Sequence, residues 1–169
     1  MNDPNAPGRK INLLWVLDHE SPVDLEWRRC LSKHLVLCKR EGLFAERIPF
    51  SLPEDEVERC ASEAEVVLFL VSPDSIAMEN TKLLDRCLEL YEQKSFPRIV
   101  PIVLRECDWK KNKRYGGLTE LPREKGPVAK WSDGDAALAS VARDVRFLLE
   151  TLRAKPRAVP LPKEHELWG

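Results

Sequence analysis

The clearest pattern along the chain is the run VVLFLV at residues 66–71, with Glu65 before it and Ser72-Pro73-Asp74-Ser75 after it. An unbroken apolar run rich in β-branched residues suits a strand buried on both faces. Such strands belong to parallel sheets covered by helices on each side. Residues 10–17, KINLLWVL, repeat the pattern, and residues 98–104, RIVPIVL, repeat it with Pro101 inside. Proline removes a ladder donor, so a bulge or distortion is expected there. Residues 43–48, LFAERI, are shorter and more polar and read as an edge strand. Residues 127–131 read as a short fifth strand.

Helical patterns fill the intervals. Ser21-Pro22-Val23-Asp24 combines a capping serine, a proline suited to the first turn and a capping-box acid. The helix it opens reaches about residue 41, with Leu31, Leu35 and Cys38 on its buried stripe, and Gly42 stops it. Ser51-Leu52-Pro53-Glu54 repeats the start for a short acidic helix over 54–63. A third helix is expected over 80–93. Ser132-Asp133-Gly134-Asp135 opens a last one, whose apolar face is Val141, Val145, Leu148, Leu149 and Leu152. Strand followed by helix, five times over, predicts an α/β fold. The specific expectation is a flavodoxin-like three-layer sandwich, a five-stranded parallel sheet of order 2-1-3-4-5 with helices on both faces. Residues 1–9 read as a flexible leader, 10–152 as the domain, and 153–169 as a Pro-rich tail or linker. Residues 106–126, rich in Lys, Arg and Gly, read as a surface excursion.

Charge narrows the function. Formal net charge is -1, from 27 basic and 28 acidic residues. That balance lacks the basic surplus of a nucleic-acid binder. No apolar run approaches the roughly 20 residues of a membrane span, and residues 1–10 hold no signal-peptide core. The cytoplasm is the expected compartment. The five cysteines are odd in number and scattered, which suits reduced thiols acting as small hydrophobes. Cys30, His34 and Cys38 share a helix face, but no fourth ligand lies nearby, and no metal site is expected.

Open α/β folds place their sites beyond the C-terminal ends of central strands. Here that edge holds none of the common phosphate or nucleophile motifs: no GxGxxG, GxxxxGK[ST] or GxSxG occurs. A response-regulator receiver needs acids after the first strand and a phosphoacceptor Asp directly ending the third. Asp18 and Glu20 meet the first need and Lys130 could supply the basic partner, but Asp74 lies two residues too far along.

Four stretches together resemble a TIR domain of the prokaryotic type: KHLVLCKREGLFAERIP, ASEAEVVLFLVSPDSIA, RIVPIVLRECDW and LPREKGPVAKWSDGDAALASVARDV. They follow one another in that family's order and cover about residues 10–152. The resemblance implies a module that signals by associating with other TIR-like or signalling proteins, or with itself, commonly in antiviral defence or stress signalling. It requires no cofactor for that role. Some members, once assembled, cleave NAD at the nicotinamide–ribose bond, so NAD is implied as a possible substrate or ligand. Their catalytic glutamate sits on the third helix, where a carboxylate supports the ribosyl cation.

Counting from Ser72-Pro73-Asp74, that place falls on Asp85, with Glu89 one turn later and Glu79 near the helix start. Asp shortens the arm by about 1 Å, a displacement that can cost about a hundredfold in rate. The resemblance places Asp18, Phe50 and Ser72 at the nucleotide pocket. The loop after the second strand, which mediates assembly in the family, reads Ile48-Pro49-Phe50-Ser51 without the usual glycine. Pro49 and Phe50, with Trp109, Tyr115 and the basic run 110–114, are the expected contact residues. An intact scaffold with altered pocket residues favours association over catalysis; the NAD glycohydrolase is the alternative.

Overall fold

The computed structural model describes residues 8–155. Four strands, β1 (Ile11–Val16), β2 (Phe44–Arg47), β3 (Val66–Val71) and β4 (Arg98–Val103), form one parallel sheet of order 2-1-3-4. The helices are α1 (Pro22–His34), α2 (Val36–Arg40), α3 (Glu54–Glu63), α4 (Pro73–Ile76), α5 (Lys82–Lys94) and α6 (Gly134–Arg153). Strand periodicity divides the core. Ile11, Leu13, Trp15, Leu68 and Ile102 face α1, α2 and α6. Leu14, Val16, Phe69 and Val103 face α3 and α5. Every residue of β3 and β4 is buried, as two covered faces require.

Among the described residues the sheet has four strands and not five. Residues 127–131 form a 3-10 turn, Val128–Lys130, because Lys130 N–H bonds back to Pro127 and Trp131 N–H to Val128. Only Ala129 N–H reaches the sheet, at the Leu104 carbonyl. The outer edge of β4 is instead met at one residue, Leu121, which bridges Ile102.

Pro101 introduces no bulge. β4 keeps a continuous register with β3 from Val66↔Arg98 to Val71↔Val103, with Phe69 opposite Pro101. The reason is which side the missing donor faces. The Pro101 carbonyl accepts from Leu121 on the outer edge, so its absent N–H also falls on that side, where the β3 ladder does not need it.

Other boundaries shift for local reasons. The first helix breaks at Leu35 (φ -95°, ψ 0°) into α1 and α2. The helix over 54–63 starts at Pro53 with no side-chain cap, so Ser51 plays no capping role. Arg9, expected in the leader, belongs to the domain: it is buried and paired with Glu65 at the foot of β3. The expected leader residues 1–7, and the tail from 156 with its Leu161, Leu167 and Trp168, lie outside the described residues. All five cysteines are free thiols, with Cys38, Cys60 and Cys87 buried. Burial holds the Cys87 thiol at about 12. No helix among the described residues is long and apolar enough to cross a membrane.

Candidate functional site

In the order 2-1-3-4 the chain reverses direction across the sheet between β1 and β3, and a crevice opens there beyond the strand ends. A cleft of about 750 Å³ occupies this place. Its walls come from the loop after β1 (Asp18, His19, Glu20), the loop after β2 (Pro49, Phe50), the start of α3, and residues 77–84 leading into α5.

A polar knot holds the wall between β1 and β3. Ser21 caps α1 by accepting from Asp24 N–H at 3.3 Å. The expected capping-box return from Asp24 is not made. Its fully buried carboxylate instead accepts from Ser72 Oγ at 2.5 Å and from Arg105 Nη2 at 3.2 Å. Arg105 also donates to Asp74 Oδ2 at 2.6 Å, and Ser21 Oγ donates to the same oxygen at 2.8 Å. Ser72 and Ser75 close a capping box on α4. One arginine just past β4 thus ties α1, β3 and α4 together. Burial pushes the Asp24 carboxyl above its ordinary value, opposed by the Ser72 and Arg105 bonds. Asp74, with hydrogen bonds from Ser21 and Arg105, is held below its ordinary value.

The expected site residues separate. Asp18, Pro49 and Phe50 line the cleft. Ser72 does not: it is buried in the knot as a cap and a donor. Asp85 and Glu89 do not line it either. α5 begins at Lys82, after a separate turn of helix at α4, and this places Asp85 beside the 106–126 excursion. Its carboxylate accepts from Thr81 Oγ1 at 2.8 Å and pairs with Arg114 at 3.5 Å. Glu89 pairs with Arg86 at 3.0 Å. Glu79 is the acid of this region that does line the cleft.

Two expected contact residues are core residues. Trp109 is 4% and Tyr115 9% exposed, packed with Phe69 and Leu88 on the α3–α5 face. Tyr115 meets Phe69 edge-on at 5.3 Å. The excursion folds inward because Asn112 Oδ1 accepts from Arg114 and Tyr115 N–H groups, turning the aromatic ring toward the sheet. The spacing Trp109, Tyr115, Leu118, Leu121 was the available signal; the lysines and arginines between them obscured it. The sequence pattern gives no sign of Arg105 and assigns Asp24 only a capping role, because their partners lie far apart along the chain.

At the cleft mouth His19 and Phe50 meet edge-on at 5.1 Å, and the polar backbone of Pro49 favours the charged form of the His19 ring. Burial pulls the His19 pKa below its ordinary 6.5, with Arg28 acting in the same direction. A histidine depressed in the fold contributes stability that is complete above its unfolded pKa and is lost as pH falls below it. Wild type should therefore lose stability relative to His19→Gln between about pH 7 and about pH 5. Urea midpoints of the two proteins at both pH values check this; parallel curves would contradict it.

Comparison with known proteins places the chain beside one relative. It is 30% identical over 141 residues to an uncharacterized protein, y4lF, of Sinorhizobium fredii. The match takes in 75% of this chain and 41% of that protein, so the chain spans about two fifths of its relative's length. No family model matches the chain, and no solved structure matches it.

Proposed function

We propose that this chain is a TIR-like association module, acting by contact with another TIR-like or signalling protein or with a second copy. In this reading the fold is a variant of the flavodoxin-like sandwich, with the Leu121 bridge and the Ala129 contact standing where a fifth strand would run. The observation that carries the proposal is Phe50, 75% exposed on the loop between β2 and α3, with Ile48 exposed beside it. An uncovered aromatic beside a second exposed apolar residue is the kind of patch that partners bury. Asp85 supports the same reading from the other side, since its carboxylate is spent on Thr81 and Arg114.

The alternative, a NAD glycohydrolase, draws support from Glu79, a full-length carboxylate in the cleft wall. The acid-rich lining around it weighs against a ligand carrying a diphosphate.

Light scattering across a concentration series, with and without a candidate TIR partner, tests the proposal. The expected result is a defined complex or oligomer weakened about thirtyfold or more by Phe50→Ser, a hot-spot-sized loss. Asp85→Ala should leave association intact and cost no more than about 1 kcal/mol of stability, as exposed pairs do. Nicotinamide release from NAD by the assembled protein, abolished in Glu79→Ala, would move the assignment to the alternative. A strict monomer with every partner would remove the basis for the first.

A further inference from the structure

Beyond that reading, and independent of whether the chain assembles, the cleft between β1 and β3 has a chemistry of its own. We propose that it binds an organic cation, an ammonium or guanidinium group on a hydrophobic stem. Its volume, about 750 Å³, is in the range of small-molecule sites and far exceeds one solvent molecule. Two rings stand at its mouth. Phe50 is largely exposed, and His19, packed edge-on against it, has its pKa lowered by burial. The exposed face of a phenyl ring attracts a cation through its quadrupole, and an uncharged imidazole beside it does not repel one.

Charge points the same way. Among the described residues five acids line the cleft and Lys82 is its one lysine or arginine, although the whole chain carries a net charge of only -1. Asp74 is neutralised by Arg105. Asp18, Glu20, Glu54 and Glu79 form no ion pair with a lysine or arginine among the described residues. Across the rest of the described surface most acids, Glu46, Glu58 and Asp144 among them, have such partners, with Asp55, Glu124 and Asp133 among the exceptions. Unpaired negative charge is thus concentrated where a concave wall focuses the field.

The ligand is an organic cation and not a metal ion on this geometry. Among the described residues no three His, Cys, Asp or Glu side chains gather closely enough to hold a metal. A charge spread over four separated carboxylates, next to an aromatic face, suits a delocalised or hydrocarbon-shielded cation. The same field disfavours dinucleotides and other diphosphates.

Two sources offer this chemistry, a free small molecule and a basic side chain on a peptide, and one titration separates them. The full chain is titrated calorimetrically at low salt with agmatine, with a blocked Gly-Arg-Arg-Gly peptide and with ADP-ribose. Expected is saturable binding of agmatine, the peptide or both, weakening as salt is raised, with ADP-ribose weaker than either. Agmatine alone assigns a small-molecule site; the peptide alone assigns a peptide-binding site. Phe50→Ala should weaken the binding about threefold to fivefold. The double variant Glu20→Gln/Glu79→Gln should weaken it about tenfold. Glu124→Gln, outside the cleft lining, should leave it unchanged. All four positions are exposed, so thermal unfolding should confirm that each variant is folded. Absence of binding by both cations at millimolar concentration overturns the proposal, as does tighter binding of ADP-ribose or an equal effect of Glu124→Gln. Because no arm measures association or nicotinamide release, failure here leaves the assembly reading standing, and the reverse also holds.

Discussion

Replacing Glu65 with alanine should cost about 3–5 kcal/mol of folding stability, the range for stripping one partner from a buried ion pair. Glu65 stands at the foot of β3 and is 2% exposed, and Arg9 is 6% exposed. Arg9 Nη1 meets Glu65 Oε2 at 2.6 Å, and the other carboxylate oxygen accepts from Asn12 N–H at 3.3 Å. Arg9 Nη2 reaches the Leu152 carbonyl near the end of α6 at 3.3 Å. Without Glu65 the guanidinium stays buried with one carbonyl for company, and its Nε already lacks a partner. The two charges together are a different matter, because each also cost desolvation when the chain folded. Arg9→Met/Glu65→Leu, apolar at both places, should recover most of the loss. Urea unfolding of wild type and the two variants, with unchanged slope, measures this. A loss below about 1 kcal/mol for Glu65→Ala would mean that water reaches the pair.

Gly116→Ala should have the second-largest effect, about 3 kcal/mol, at the upper end of what overpacking costs. A Cβ at this position would lie 2.2 Å from the Lys110 carbonyl oxygen and 2.5 Å from that of Asn112. Both neighbours are backbone atoms, so no side-chain rotation relieves the overlap. Conformation is not the issue, only space: the turn brings two carbonyls against the α-carbon, and Gly116 N–H bonds to Asn112. To admit the methyl group the 109–116 turn must open, withdrawing Tyr115 from Phe69. The loss should therefore come with a change in near-ultraviolet circular dichroism. Gly117→Ala, whose added methyl would meet nothing within 4 Å, is the control and should be nearly silent. Equal effects at 116 and 117 would contradict the steric account.

Much of the scaffold was legible because its signals are local. The β3 run and the acidic α3 fall where the residue pattern puts them, since a six-residue apolar run and a proline-led acidic turn each carry their own boundary. The site was less legible. Asp24 looked like half of a capping box, and its side chain turned out to serve Ser72 and Arg105, 48 and 81 positions away. No local pattern encodes such a partner. Counting from Ser72-Pro73-Asp74 reaches Asp85, but the separate turn at α4 sets which side of α5 that residue occupies. Trp109 and Tyr115 sit among lysines and arginines whose charge suggests solvent, yet the chain needed two large rings to cover Phe69 and Leu88. A five-strand reading failed at residues 127–131 for the opposite reason. The apolar residues there are real core residues, as Val128 shows, but they are delivered by a tight turn.

The position of Pro101 bears on how copies of this protein could polymerise. Its flank of the sheet lacks a donor and is already crossed by Leu121, so no foreign strand can zip along it. Among the described residues, the far side of β2 is the edge that offers an unpaired row of backbone groups, four residues long with Glu46 and Arg47 in it. Fibril growth by strand addition would thus be restricted to one flank and a charged template, a safeguard against runaway stacking in a molecule proposed to work by sticking to its neighbours.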